Sequence, residues 1–151
     1  MKTEFWACGK TKHAFVKEAV DFYLKRIANP KGFIYHELEI KKTNSSQELL
    51  IAEEEAISKL LKSNDFLILL DEQGEAFSST SFASFLNSLN LQGRIIFLAG
   101  GAYGFSENIY KKAAKKISFS KMTFTHELIR IIFLEQYYRA LTIIKNHPYH
   151  H

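Results

Sequence analysis

Two short runs in the middle of the chain, Phe66–Leu70 and Arg94–Ala99, are apolar with almost no alternation. A strand with one wet face alternates in polarity, whereas a strand covered on both faces reads as a continuous hydrophobic run. Two such runs therefore call for a sheet with a layer of structure on each side. Helices that cross between parallel strands supply those layers, which is the α/β arrangement.

The remaining signals alternate in the order this arrangement needs. Lys2–Gly9 reads as a strand stopped by Gly9. Phe15, Ala19, Phe22, Tyr23 and Ile27 recur at helical spacing over His13–Arg26, before an Asn29-Pro30-Lys31-Gly32 turn. Phe33–Ile40 alternates, as in a strand with two different faces. Ser45 followed by Glu48 is a capping-box signature, and it opens a helix reaching to about Leu61. Ser79–Leu89 and Glu107–Lys115 are further helices, with Ile117–Phe119 a short strand between the second of them and a long final helix, Thr125–Lys145. No linker, repeat or low-complexity tract interrupts the series. The expectation is one three-layer α/β domain over residues 1–151, with a mostly parallel sheet.

The final helix adds a second constraint. Leu128, Ile129, Ile131, Ile132, Phe133, Leu134, Tyr137, Tyr138, Leu141, Ile143 and Ile144 leave little of its circumference polar. A helix apolar nearly all round must be covered on several sides. In a chain of 151 residues one side meets the sheet, and a homodimer contact is the expected cover for another; a merely central helix is the alternative.

Composition excludes some classes. A 46% hydrophobic and 24% charged chain is that of a soluble globular protein, and its apolar runs fall far short of the roughly 20 residues that span a bilayer. The opening Met-Lys-Thr-Glu-Phe-Trp does not read as a secretory signal, so a cytoplasmic location without membrane association is expected. A single cysteine, Cys8, cannot form an intrachain disulfide and reads as a small buried hydrophobe. The balance of 20 Lys+Arg against 16 Asp+Glu is modestly basic. Lys111, Lys112, Lys115, Lys116 and Lys121 lie in a stretch without an acid, and Lys10, Lys12 and Lys17 cluster near the start. Such lysines form either a solvated face or an electrostatic seat for an RNA backbone.

Three strand ends carry the candidate chemistry, because ligands of parallel α/β sheets bind outside the carboxyl ends of the strands. Phe66–Leu70 runs into Asp71-Glu72-Gln73-Gly74, read as a polar loop. Arg94–Ala99 runs into Gly100-Gly101-Ala102-Tyr103-Gly104, which is either a tight turn or a close approach to a ligand. It fits neither a dinucleotide fingerprint nor a phosphate-binding loop. Ser118-Phe119-Ser120-Lys121-Met122-Thr123-Phe124 is too polar for a core strand and too rich in Phe and Met for an ordinary surface loop. Together they suggest one pocket for a ligand with an apolar ring and polar edges. The tail Asn146-His147-Pro148-Tyr149-His150-His151 is read as a disordered end or as groups that stack on a splayed RNA base. No metal site is expected there, since proline separates the histidines and the only cysteine is distant. No nucleophile arrangement for covalent catalysis stands out.

Leu69-Leu70-Asp71-x-x-Gly74, Gly100-Gly101-x-x-Gly104, Ser118 to Phe124 followed by His126, Arg130, Glu135-Gln136-x-Tyr138-Arg139-Ala140 and His147-Pro148-Tyr149-His150 occur in one order and spacing. This set resembles the RlmH (YbeA) family of SPOUT methyltransferases, which methylate N3 of a pseudouridine in 23S rRNA. The likeness runs the whole chain, including the opening Ala7-Cys8-Gly9-Lys10. It implies a C-terminal trefoil knot, one of the rare exceptions to unknotted chains, and a homodimer with the knots near its interface. It also implies S-adenosylmethionine as cofactor, bound at Leu70, Gly100 and Phe119, Ser120, Lys121, Met122, Thr123 and Phe124. His126, Arg130, Glu135, Arg139, Tyr149 and His150 are then placed around the substrate, with Tyr149 and His150 on the base, and Arg139 on phosphate or substrate oxygen, oriented by Glu135. The partner implied is 23S rRNA within the ribosome. Thr125 stands where the family often has proline, Glu75 where a lysine is common, and His151 where a basic residue often ends the chain. Two other functions stay open at this point: a non-catalytic RNA- or ribosome-binding protein of the same fold, and a SPOUT methyltransferase acting on tRNA.

Overall fold

The computed structural model describes residues 2–27 and 32–151, so the Asn29-Pro30-Lys31 part of the expected turn lies outside it. In chain order the elements are β1 (Lys2–Cys8), α1 (Ala14–Ile27), β2 (Phe33–Leu38), α2 (Ser46–Leu60), β3 (Phe66–Ala76), α3 (Ser79–Ser88), a 3₁₀ turn (Leu89–Leu91), β4 (Arg94–Ala99), α4 (Glu107–Lys112), β5 (Lys115–Ser118) and α5 (Leu128–Ile144). The five strands form one sheet in the order β2-β1-β4-β3-β5, and every pairing is parallel.

Two hydrophobic cores explain the runs without alternation. On one face Phe5, Ile68, Ile95 and Phe97 pack with α1, α3 and α5 through Val16, Val20, Phe82, Leu86, Phe133 and Tyr137. On the other, Trp6, Leu67, Leu69, Ile96 and Leu98 pack with Ile57 of α2 and Ile109 of α4. Successive strand residues point to opposite faces, and here both faces are dry. The Phe133 ring lies 4.2 Å from Phe5 and 4.9 Å from Phe97, centroid to centroid, which seats α5 across the middle of the sheet. Each such side chain, fully buried, contributes about 1.5–3 kcal/mol.

Local chemistry sets the helix starts. Ser45 accepts from the Glu48 amide at 3.1 Å, while the Glu48 carboxylate reaches back to the Asn44 amide at 3.0 Å, one residue before the usual partner. Ser78 and Ser106 cap α3 and α4 in the same way, accepting from Ser81 and Ile109.

Three expectations are corrected. Asp71–Gly74 is not a loop: β3 continues to Ala76, and its pairing with β5 shifts register so that Leu70 and Glu75 both face Ile117. A Cβ on Gly74 would lie 2.6 Å from the Ile117 backbone, so only glycine fits where the bulged strand presses on β5. The fourth helix stops at Lys112 rather than Lys115, because Lys115 and Lys116 already pair with β3. The final helix begins at Leu128 rather than Thr125, and the Thr125 hydroxyl accepts from the Leu128 amide at 3.1 Å.

Candidate functional site

The carboxyl ends of β3, β4 and β5 open onto one cavity of about 660 Å³, closed on its fourth side by the entry to α5. Leu70, Gly100, Phe119, Ser120, Met122, Thr123 and Phe124 all line it, as do His126 and Ile129. Lys121, nominated with them, is exposed and outside the lining. The loop of residues 118–124 is held by its own side chains: Ser118 donates to the Ser120 carbonyl at 2.8 Å, and Ser120 accepts from the Met122 amide at 2.9 Å. Phe119 is anchored edge-on against Phe82 and Phe133, with centroids 5.5 and 6.0 Å away.

The glycine loop has a conformational reason for its composition. Gly104 has φ +73, a left-handed conformation that suits glycine. Its amide donates to the Gly101 carbonyl at 3.3 Å, closing the turn. A Cβ on Gly101 would fall 2.0 Å from Oε1 of Glu53. Gly100 and Gly101 therefore present bare backbone to the cavity, because a side chain at either has no room.

Apolar walls and an acidic rim give the cavity its chemistry. Leu70, Ile117, Phe119 and Ile129 supply the walls. At the rim, Tyr110 donates to Asp71 at 2.7 Å and Thr123 donates to Glu72 at 2.5 Å. Burial and then the Asp71 hydrogen bond push the Tyr110 phenol up to about 12, so it stays a donor. His126 is half-buried, and burial followed by the charge of Arg130 holds its imidazole below the ordinary value. It is a neutral imidazole at physiological pH. The arrangement suits a ligand that has a flat apolar part, hydrogen-bonding edges and positive charge.

Arg130 is not at this cavity. Its side chain is 1% exposed and donates to the Cys8 carbonyl at 2.9 Å, the Thr11 hydroxyl at 2.8 Å, the His126 carbonyl at 3.1 Å and Glu37 at 3.3 Å. Burial disfavours the Glu37 charge, but hydrogen bonds from Thr11 and Tyr35 and the Arg130 charge outweigh it and hold the carboxyl below its ordinary value. The guanidinium thus ties the end of β1 to β2 and to the start of α5.

Glu135, Arg139, Tyr149 and His150 come together at the far end of α5. Arg139 donates to Oε1 of Glu135 through Nε at 3.0 Å and a terminal nitrogen at 2.5 Å. The Tyr149 hydroxyl donates to the same oxygen at 3.3 Å, and the Arg139 guanidinium lies 4.8 Å from the Tyr149 ring centroid. A ring nitrogen of His150 is 3.4 Å from Arg139, and Tyr149 packs edge-on against Tyr138. Burial and the Glu135 charge hold the Tyr149 phenol above its ordinary value. The tail folds onto the helix. Ile129 at the cavity and Arg139 in this cluster are ten residues apart on α5, about 15 Å at the helical rise.

Two carboxylates escaped the sequence reading. Glu127, buried at the start of α5, accepts from the Lys12 and His13 amides at 2.6 and 3.1 Å and from the His13 ring at 2.5 Å. Burial opposes its charge, yet those donors bring its carboxyl down to about 2. Glu53 sits within Glu53-Glu54-Glu55, which looks like a solvated face. Its one sequence cue is Ile57, four residues on and therefore on the same side of α2. Both are buried. Among the described residues no group of His, Cys, Asp or Glu is placed to hold a metal, and no helix is long and apolar enough to cross a membrane.

The family described as predicted SPOUT methyltransferase matches residues 1–150. A Cytophaga hutchinsonii protein named ribosomal RNA large subunit methyltransferase H is 46% identical over 155 residues, spanning all of both chains. Proteins of the same name from Parabacteroides distasonis and Geotalea daltonii are 42% and 43% identical, covering 100% and 95% of this chain and 99% and 95% of their own length. With a parallel sheet, a cavity at its carboxyl edge and a match that runs from end to end, the chain belongs to the SPOUT methyltransferase family.

Proposed function

We propose that this chain is an S-adenosylmethionine-dependent methyltransferase acting on N3 of a pseudouridine in 23S rRNA, on the ribosome and in the cytoplasm. The observation that carries the reading is the cavity where β3, β4 and β5 end. Its volume, about 660 Å³, falls within the range of roughly 300–1,000 Å³ typical of cofactor sites. Apolar walls from Leu70, Ile117, Phe119 and Ile129 suit an adenine ring, and the bare backbone of Gly100 and Gly101 suits close hydrogen bonding to its edges. Asp71 and Glu72 at the rim suit a ligand with a sulfonium and an ammonium group. When bound, S-adenosylmethionine supplies an electrophilic methyl group.

The chain's own residues are assigned three tasks. Residues of the cavity orient the cofactor and exclude water around it. His126, neutral and at the cavity edge, is the group we assign to accept the N3 proton, since an imide nitrogen must lose it to become a nucleophile. The Glu135–Arg139–Tyr149–His150 cluster is assigned to the substrate, with aromatic and imidazole faces for the base and a guanidinium for oxygen or phosphate.

A homodimer of single-domain subunits belongs to this reading. Within one chain Arg139 of the tail cluster is about 15 Å along α5 from Ile129 at the cavity, too far for one base to meet both. A two-fold pairing brings the same patch of each copy against the other, which allows one copy's tail to face its partner's cavity. Phe15 and Phe22 of α1, 63% and 49% exposed and seven residues apart on one helical face, support an apolar contact there. The trefoil knot implied by the resemblance is part of the same proposal, as is contact of the exposed Lys111, Lys112, Lys116 and Lys121 with RNA phosphate.

Calorimetry with S-adenosylhomocysteine tests the cavity directly. The reading expects saturable binding that Gly100→Val abolishes, because even a Cβ there meets the Gly104 carbonyl at 2.9 Å and the Phe105 ring at 3.0 Å. Absence of binding to the unaltered protein would favour a non-catalytic RNA-binding role.

A further inference from the structure

Three glutamates are buried among the described residues: Glu4, Glu53 and Glu127. Glu4 has Lys2, Arg94 and the Trp6 indole as partners, and Glu127 has His13 and two amides. Glu53, 5% exposed, makes no ion pair among the described residues. Its carboxyl lies against the Gly101 backbone, with Oε1 2.0 Å from where a Cβ on that residue would stand. Burying a carboxylate with so little compensation is costly, so the position has a use that a hydrophobic residue would not serve.

Its surroundings identify that use. Oε1 occupies the space behind Gly101 where a Cβ would project, and the carboxyl carbon is 3.0 Å from the same point. Gly101 lines the cavity, but Glu53 does not. The Cys8 thiol of β1 is the titratable group that faces it from the sheet, and burial, with the Glu53 charge adding, pushes that thiol up to about 12, leaving it neutral. Arg130 acts on Cys8 from beyond, engaged with the Cys8 carbonyl. Next along α2, Glu54 turns to Asn108 at the start of α4. Among the described residues no charged group pairs with the Glu53 carboxyl in place of the Gly101 backbone.

We propose that Glu53 is a positioning residue: its buried carboxyl, pressed against Gly101, sets the height of the Gly100–Gly104 turn and thereby the shape of the cofactor-facing wall. The link to the cofactor rests on the function proposed above. The link to the turn does not. Glu53→Ala removes the carboxyl behind Gly101 and leaves the turn without that support. Glu53→Gln keeps an oxygen in the same place. Gly101→Ala drives a methyl into the carboxyl, whereas the double variant Glu53→Ala with Gly101→Ala gives that methyl the vacated space.

The experiment pairs amide hydrogen exchange over residues 100–104 of the cofactor-free protein with calorimetry using S-adenosylhomocysteine. Glu53→Ala is expected to speed exchange in the turn and weaken binding by about tenfold or more, the scale of one lost buried polar contact. Glu53→Gln is expected to stay within about threefold of the unaltered protein in both. Gly101→Ala is expected to lose affinity, and the double variant to regain part of it. Unchanged exchange and affinity in Glu53→Ala would overturn the proposal, as would wild-type affinity in Gly101→Ala. If Glu53→Ala fails to fold, the comparison of Gly101→Ala with the double variant and with Glu53→Gln decides; a double variant no better than Gly101→Ala overturns the proposal. Failure of the unaltered protein to bind S-adenosylhomocysteine would remove the cofactor reading while leaving the exchange comparison as the test of the turn.

Discussion

Replacing Arg130 with alanine removes a guanidinium that is 1% exposed and donates to oxygens of Cys8, Thr11, Glu37 and His126. Removing one partner of a buried pair generally costs about 3–5 kcal/mol, because the other charge is left without compensation. Glu37 keeps 28% side-chain exposure and still accepts from Thr11 and Tyr35, so its orphaned charge is partly relieved. The Cys8 carbonyl, at the buried end of β1, loses its guanidinium donor. The expected loss is therefore at the lower end, about 3 kcal/mol. Arg130→Met restores the packing of the stem and is expected to lose about 2 kcal/mol, mostly from unmade hydrogen bonds. Urea unfolding at pH 7 and one fixed protein concentration gives both values, with an unchanged slope as the check that the transition has kept its character. A loss below about 1 kcal/mol in Arg130→Ala, accompanied by loss of methyl transfer, would refute the framework role and return Arg130 to the substrate.

Three further outcomes follow from the same geometry. Glu53 ionises at about 7 in the fold against an ordinary 4.5, because burial disfavours its charge. The folded chain thus holds a proton that the unfolded chain releases, and this group's contribution falls by about 3 kcal/mol as pH rises through that window. The stability difference between the unaltered protein and Glu53→Gln should track that fall, and a difference flat from pH 4 to 8 would contradict it. His126→Gln should lower kcat by about 100-fold and remove the acidic limb of the pH–rate profile, which in the unaltered protein lies below the ordinary imidazole value of 6.5; a variant that retains the limb would exclude His126 as proton acceptor. Tyr149→Ala should cut methyl transfer about tenfold or more, as expected for loss of one base-stacking ring, while leaving S-adenosylhomocysteine affinity within about twofold. Equal loss of both would argue against a substrate role for the tail.

How far the chain could be read in advance depended on where each residue's partners lie. Phe66–Leu70 and Arg94–Ala99 announce a doubly covered sheet because burial on both faces is written into consecutive residues. The glycine loop and the Phe119–Phe124 segment stand out because their composition is wrong for both core and ordinary loop, and both line the cavity. The extension of β3 through Asp71–Gly74 was illegible because polar residues there mimic a loop, and only β5 across the register shift holds them in a strand. The burial of Arg130 and Glu53 was illegible for a related reason, since the groups they lie against, Cys8 and Gly101, are 122 and 48 positions away in the chain. The partial success with Glu135 and Arg139 fits the same rule, since their pairing is local, one turn of α5.

The central claim is tested most directly by incubating the protein with methyl-labelled S-adenosylmethionine and, separately, intact ribosomes, free subunits and tRNA, then digesting each RNA to nucleosides for mass spectrometry. Labelled 3-methylpseudouridine in 23S rRNA, and no label in tRNA, is the predicted result. Label in tRNA alone, or 3-methylpseudouridine in none of the RNAs, would contradict the account.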